Sequence, residues 1–226
     1  MKKKVIVAWS GGKDCTFALS KFLQDEEYEI VALISNKHTS TNRLTMHGIR
    51  ESLIKQQADA LGIPLDFIEL QDNTHQTYEE TLRKKLLKYK QQGVDYVMHG
   101  DIFLEDLKEY RDKKLAEVEM KGIYPLWKKD TTELLHSFYN EGFRTVICST
   151  NQANKHLLGK DISPSLIPEM APGTDPCGEN GEFHTFCYKA PIFKNEISFS
   201  LGEKVEKTYQ LNNETKYFYF VDLISG

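Results

Sequence analysis

Long apolar runs, paired cysteines and excess positive charge are all scarce in this 226-residue chain. No apolar stretch approaches the roughly 18 residues of a membrane span, which argues against a transmembrane helix and any membrane partner. The four cysteines, Cys15, Cys148, Cys177 and Cys187, form no CxxC pair. Neither a zinc knuckle nor a disulfide framework is signalled, and a reducing cytoplasm is the expected setting. Lys and Arg number 29 against 33 Asp and Glu, a formal net charge of -4, so no global basic field advertises DNA or another nucleic acid. His38, His47, His75, His136 and His156 are scattered without metal-ligand spacing. There is no internal repeat and no low-complexity tract. What is present is the ordinary material of a globular protein, with 40% hydrophobic and 27% charged residues.

The basic start Met1-Lys2-Lys3-Lys4 leads into Val5-Ile6-Val7-Ala8-Trp9, too short for a signal sequence and read as a first strand. From there β-type runs alternate with amphipathic patterns. Strands are expected near residues 29–35, 64–70, 94–99, 123–127 and 143–148, and helices near 15–24, 49–61, 78–92, 105–121 and 131–140. Gly62, Gly93, Gly122 and Gly142 fall where helices should stop. Such βα alternation implies an α/β fold with a mainly parallel sheet, helices on both faces, and ligands outside the carboxyl ends of the strands. Beyond about Ser149 the character changes: residues 152–181 hold four prolines, and 192–224 read as strands around an Asn212-Asn213 turn. The expected division is a nucleotide-binding domain over residues 1–149 and a smaller substrate-binding region over 150–226.

The first strand runs into Ser10-Gly11-Gly12-Lys13-Asp14 and then a helix. Two glycines allow a sharp turn with uncovered N–H groups, and the helix N-terminus adds a field that favours an anion. Ser10 can donate a hydroxyl, Lys13 a mobile positive charge, and Asp14 a carboxylate able to hold Mg2+ beside a polyphosphate. The Walker spacing is absent. An ordinary glycine-rich turn is the plain alternative. By the carboxyl-end rule this loop should meet Ser35, at the end of the second strand, and Gly100 and Asp101 in one crevice. His99, beside them, either faces that crevice or simply closes its strand.

A second motif follows Asp175-Pro176-Cys177: Gly178-Glu179-Asn180-Gly181-Glu182-Phe183-His184-Thr185. If its end is extended, Glu182 and His184 share one face and Phe183 takes the other, a pairing suited to acid-base work or to capture of ammonium. A polar turn entering a strand is the alternative. Residues 105–121 alternate in charge and read as a solvated helix face, with Tyr110 and Arg111 as exceptions if that helix starts over a substrate. Tyr217-Phe218-Tyr219-Phe220 reads as a buried strand or as the edge of a homodimer.

The first loop resembles the Ser-Gly-Gly-x-Asp signature of the PP-loop ATP pyrophosphatases. Together with residues 178–185 it resembles the diphthine–ammonia ligase (diphthamide synthetase) family. His47, Arg50, residues 57–64, Gly100-Asp101-Ile102, Tyr110-Arg111 and residues 124–127 take part in the likeness, while Cys15, Asn180 and His184 depart from the family's usual residues. The resemblance implies an adenine nucleotide alpha hydrolase-like, Rossmann-like fold and an AMP-forming ligase. ATP and Mg2+ would be its cofactors, ammonium its nitrogen source, and diphthine on elongation factor 2 its carboxylate acceptor. On this likeness Ser10, Gly11, Gly12, Lys13, Asp14, Ser35, Gly100 and Asp101 hold the nucleotide, with Asp14 on the metal. Lys13, Asp14, Glu182 and His184 are the catalytic candidates, and His47, Tyr110, Arg111 and Glu179 the substrate-side ones. The same chemistry on a small molecule or tRNA, or a non-catalytic ATP sensor, are the competing expectations.

Overall fold

A computed structural model describes residues 2–71, 75–211 and 214–226. The first sheet is built from β1 (Lys3–Ala8), β2 (Tyr28–His38), β3 (Arg43–Leu44), β4 (Leu65–Leu70), β5 (Val94–Met98) and β6 (Lys121–Ile123). β2 and β5 flank β1 in parallel, β4 adds to β2, β6 adds to β5, and the two-residue β3 pairs antiparallel with the end of β2. Between the strands run α1 (Lys13–Phe22), α2 (Glu51–Leu61), α3 (His75–Gln91) and α4 (Glu105–Ala116), with α5 (Thr131–Asn140) following β6. The mainly parallel α/β architecture is therefore as expected. The chain leaves β1 toward β2 and β4, then returns to the other side of β1 for β5 and β6. That reversal opens a crevice at the carboxyl ends of β1 and β5.

Strand alternation sorts the core into two layers. Val5, Val7, Leu33 and Met98 join a large cluster with Phe17 and Leu19 of α1 and Leu53 and Ile54 of α2. Ile6, Ala32 and Val97 face the other way, onto Leu86 and Tyr89 of α3 and Leu115 of α4. Helices thus cover both faces. Gly62, Gly93 and Gly142 take the left-handed backbone that ends a helix (φ 70°, 81° and 89°). Gly122 does not. It lies inside β6, and Glu119 (φ 56°) makes the turn after α4 instead. A Cβ at Gly122 would meet Tyr124 Cε2 at 2.5 Å and Asp112 Oδ1 at 2.7 Å, so this glycine answers to packing rather than to helix termination.

β7 (Arg144–Asn151), β8 (Phe183–Lys189), β9 (Phe199–Leu211) and β10 (Glu214–Ser225) form a second, antiparallel sheet in the order β8-β7-β10-β9. The strand expected at 143–148 to continue the βα series is β7, and it belongs to this second sheet. The expected turn at Asn212 and Asn213 lies outside the described residues. Phe218, Tyr219 and Phe220 pair with β7 on one side and β9 on the other, so that aromatic stretch is interior and cannot be a dimer edge. The large core cluster continues into this sheet through Val146, Ile147, Phe186 and Val221, so both sheets share one apolar interior. Among the described residues no helix is long and apolar enough to cross a membrane.

Candidate active site

Ser10 to Asp14 occupy the crevice at the end of β1. Gly11 sits at φ 73°, where a Cβ would run into Ile54 Cδ1 at 2.5 Å and Gln57 Oε1 at 2.7 Å. Beneath it, the fully buried Gln57 accepts from Trp9 Nε1 (2.9 Å) and donates to Gly11 O (3.0 Å) and Cys187 O (2.6 Å). Cys187 N also donates to Gly11 O at 2.8 Å. The start of α1 is tied across as well, Lys13 N donating to Thr185 Oγ1 at 3.0 Å. The loop is therefore set between α2 and β8, two elements distant in sequence.

Lys13 is not the mobile cation expected. Only 3% exposed, it grips its own neighbour Asp14 (2.6 Å) and donates to Cys177 O. Burial works against its charge, but the Asp14 carboxylate and the nearby Cys177 and Glu179 outweigh it and hold its pKa above the usual lysine value. Asp14 keeps 31% of its side chain exposed. Its carboxyl is pushed up by burial, against the pull of Lys13 and with support from Asp175 and Asp101.

An open cavity of about 290 Å3 spreads in front of the loop. Ser10, Gly12, Lys13, Asp14, His47, Gly100, Asp101, Arg111, Glu179 and His184 line it, so ten sequence-derived candidates converge. Gly100 is there by close approach: a Cβ would stand 2.7 Å from Cys15 N and 2.9 Å from Asp14 C. Asp101 Oδ1 accepts from Arg111 Nη2 at 3.1 Å and Nε at 3.3 Å. Both motifs meet in one site.

Four candidates do not line it: Gly11, which packs beneath the loop on Ile54 and Gln57, and Ser35, Tyr110 and Glu182. Ser35 points away, donating to Trp9 O at 2.6 Å; strand alternation gives the cavity Ile34 and Asn36 in its place. Tyr110 lies in a neighbouring apolar recess between α3 and α4, bonded to Glu79 at 3.1 Å. Glu182 turns back into its own loop, where Oε1 accepts from Asp175 N (2.9 Å) and Asn180 Nδ2 (3.1 Å). Left-handed Gly178 and Gly181 reset the chain direction before β8, so the expected sharing of a face with His184 fails. Glu179 takes the cavity position. Its Oε1 accepts from the N–H groups of Ile102 (2.7 Å) and Phe103 (3.3 Å), and burial pushes its carboxyl up to about 7.

His184 packs against His47 with ring centroids 4.6 Å apart and planes at 39°. Burial, then the Lys13 charge, lowers His184 to about 4. Burial, His184 and Lys13 hold His47 well below an ordinary histidine. His99, 6% exposed, lines the cavity with neither ring nitrogen hydrogen-bonded among the described residues, and burial followed by Arg111 keeps it neutral too. Gln57, named in sequence only within the 57–64 stretch of the family likeness and given no role there, is the residue that props the loop. The four thiols are all buried, with Cys148 and Cys177 pushed up to about 12.

The diphthamide synthase N-terminal domain family matches residues 3–122, and its C-terminal domain family residues 130–219. A diphthine--ammonia ligase of Danio rerio is 25% identical over 228 residues, covering 89% of this chain and 88% of that protein. The Homo sapiens diphthine--ammonia ligase is 25% identical over 250 residues, covering 97% and 91%. A tRNA-specific 2-thiouridylase of Sulfurimonas denitrificans is 39% identical over 72 residues, which is 32% of this chain and 20% of that protein.

Proposed function

The chain belongs to the diphthamide synthase family, and from that premise we propose that it is an ATP-dependent ligase that converts the carboxylate of diphthine to the amide of diphthamide. The observation that carries the reading is the meeting of the Ser10 to Asp14 loop with the Glu179 and His184 segment in one cavity. A carboxylate is a poor electrophile because its leaving group would be oxide. Attack of the carboxylate oxygen on the α-phosphorus of ATP exchanges that leaving group for AMP and releases pyrophosphate. Ammonia then attacks the carbonyl carbon and AMP departs.

The residues present suit a polyphosphate. Gly12 lines the cavity at the N-terminus of α1 in a tight position, where a Cβ would meet Thr185 O at 3.1 Å and His47 Nε2 at 3.3 Å. Lys13, fully charged and held by Asp14, places a fixed positive charge behind the loop and spends no reorganisation when phosphate charge develops. Asp14 is the residue to hold Mg2+, which when bound neutralises charge on the departing pyrophosphate. Gly100 lets β5 approach the loop closely, and Arg111, fixed by Asp101, offers a cation to the acceptor side. The region to residue 149 supplies the nucleotide half of the site in this reading, and 150–226 completes the acceptor half. Elongation factor 2 is the proposed carrier of the acceptor, and the setting is cytoplasmic.

The likeness to a tRNA-specific 2-thiouridylase covers only 32% of this chain and does not carry its sulfur chemistry over. Sulfur transfer needs an accessible thiolate, and all four cysteines are buried. The test is phosphorus NMR of ATP, Mg2+ and ammonium with the protein, with and without diphthine-bearing elongation factor 2, plus mass analysis of the factor. Acceptor-dependent AMP and pyrophosphate with an amidated factor are expected. Nucleotide binding without those products would replace the ligase with an ATP sensor.

A further inference from the structure

The ligase reaction leaves a proton problem that the phosphate loop does not solve. An ammonium nitrogen must lose one proton to expose its lone pair. It then forms the C–N bond while the bond between the carbonyl carbon and the AMP oxygen breaks, AMP taking the electron pair. The nitrogen sheds a second proton to leave a neutral amide. Two protons go out for each amide, and nothing is oxidised or reduced.

Resting on the ligase reading, we propose that the paired rings of His47 and His184 form the ammonia-receiving site and pass these two protons, one at a time, to water in the open cavity. Both line the cavity in front of the phosphate loop, in contact with each other at 4.6 Å between centroids. Among the described residues His184's ring makes no hydrogen bond, and His47's ring leans only on the Thr45 backbone, so ring nitrogens remain for a ligand. A neutral imidazole offers one acceptor nitrogen, and both rings are neutral at pH 7. The groups that face them are Lys13, each other and the Thr45 carbonyl; the fixed Lys13 charge disfavours a bound cation and favours neutral ammonia.

The ring pair is also held, which a proton-accepting geometry requires. His47 rides on the segment between β3 and α2, and that segment is clamped to β10. Asp222 Oδ1 accepts from Arg43 (2.7 Å) and Arg50 Nε (3.0 Å), and Asp222 Oδ2 from Arg50 Nη2 (2.5 Å). Arg43 also donates to Gly48 O at 2.9 Å. His184 comes from β8, in the same sheet as β10. One sheet therefore fixes both rings.

Hydroxylamine separates proton removal from the rest of the chemistry, because it is neutral and nucleophilic near pH 7. His47→Gln and His184→Gln are assayed with diphthine-bearing elongation factor 2 for acceptor-dependent ATP–pyrophosphate exchange, amide formation from ammonium, and hydroxamate formation from hydroxylamine. The ratio of amide formation to exchange should fall at least tenfold at pH 7 and recover toward pH 9, where more of the added ammonium is already deprotonated. The ratio of hydroxamate formation to exchange should hold within about threefold. Equal loss of amide and hydroxamate relative to exchange, or an amide ratio like that of the unmodified protein, overturns the histidine pair alone. Absence of acceptor-dependent exchange in the unmodified protein overturns the ligase reading and this inference with it.

Discussion

Replacing Gln57 with leucine tests whether a carboxamide in α2 is the strut beneath the phosphate loop. Leucine is close in volume, so the change removes hydrogen bonds rather than creating a cavity. Three bonds are lost, but their costs differ. Gly11 O keeps its second donor, Cys187 N at 2.8 Å. Trp9 Nε1 has no such reserve; Trp9 is 2% exposed, and its indole N–H loses its acceptor. An orphaned buried donor costs about 1–3 kcal/mol and a lost but replaceable bond about 0.5–1.5 kcal/mol. The apolar leucine returns part of this, leaving about 3 kcal/mol. For a chain of this size each kcal/mol is about 2–4 °C, so the melting midpoint should fall by about 6–12 °C in calorimetry. Because Gly11 is set by the same carboxamide, ATP affinity in isothermal titration should fall about tenfold, equivalent to about 1.4 kcal/mol. Gln57→Glu sharpens the test. It keeps an acceptor for Trp9 but turns an oxygen toward the Gly11 and Cys187 carbonyls, so its ionised form is disfavoured in the fold. Its stability deficit should therefore grow as pH rises above the ordinary glutamate value of about 4.3. A Gln57→Leu midpoint within 2 °C of the unmodified protein, with ATP affinity unchanged, would refute the strut.

Asp14→Ala should abolish Mg2+-dependent turnover, and it should also destabilise the protein because Lys13 is left as a buried charge without its carboxylate, a loss of about 3–5 kcal/mol. Thermal melts of Asp14→Ala and of the double variant Lys13→Met, Asp14→Ala check this: the double variant should recover stability but not turnover, and an unchanged melt for Asp14→Ala sinks the ion-pair argument. Gly100→Ala places a Cβ 2.7 Å from the backbone of Cys15, which cannot swing aside, so a penalty of about 1–3 kcal/mol or more is expected; a melt and nucleotide affinity equal to those of the unmodified protein would contradict the close approach. His184 has a folded pKa near 4, below its unfolded value near 6.5, so the unfolded chain binds more protons between those values and the stability from the neutral ring is lost as pH falls from about 6.5 toward 4. Glu179, raised to about 7, acts in the opposite sense over an overlapping range, so the informative quantity is the difference between His184→Gln and the unmodified protein in urea midpoints at pH 7 and pH 5. The variant should lose less on acidification, and equal losses would remove the linkage.

The elements that a sequence makes visible here are those whose signal is local. Val5 to Trp9 followed by two glycines can hardly be anything but a strand entering a helix, and Gly62, Gly93 and Gly142 end helices through a backbone preference that needs no tertiary context. Gly122 looks the same in sequence and is different in space, because its reason is the proximity of Tyr124 and Asp112. β7 was visible as a strand but not as a member of the second sheet, since an apolar run of that length suits either. Ser35 was one residue from the cavity, and with a period of two a single step turns a side chain to the other face. Glu179 and Glu182 were a choice between two similar glutamates separated by a left-handed glycine, whose effect on direction no alternation rule carries. Gln57 was legible as part of the 57–64 likeness and as a polar residue on an apolar face, but neither signal tells that its carboxamide reaches the Gly11 and Cys187 carbonyls.

The locked state of Lys13 bears on how the Ser10 to Asp14 loop is held. A lysine on a self-contained phosphate loop could reach for its ligand with its own flexible stem. Here the stem is buried, one partner is the adjacent Asp14, and the other is a carbonyl 164 residues away on Cys177. The start of the same helix is bonded to Thr185 and the carbonyl before it to Cys187. The loop's shape and charge are thus properties of both sheets together, and its sequence signature is complete only when residues 177–187 are in place. That dependence gives a physical reason for the two motifs to occur in one chain: the second does not merely add residues to the cavity, it holds the first loop in its shape.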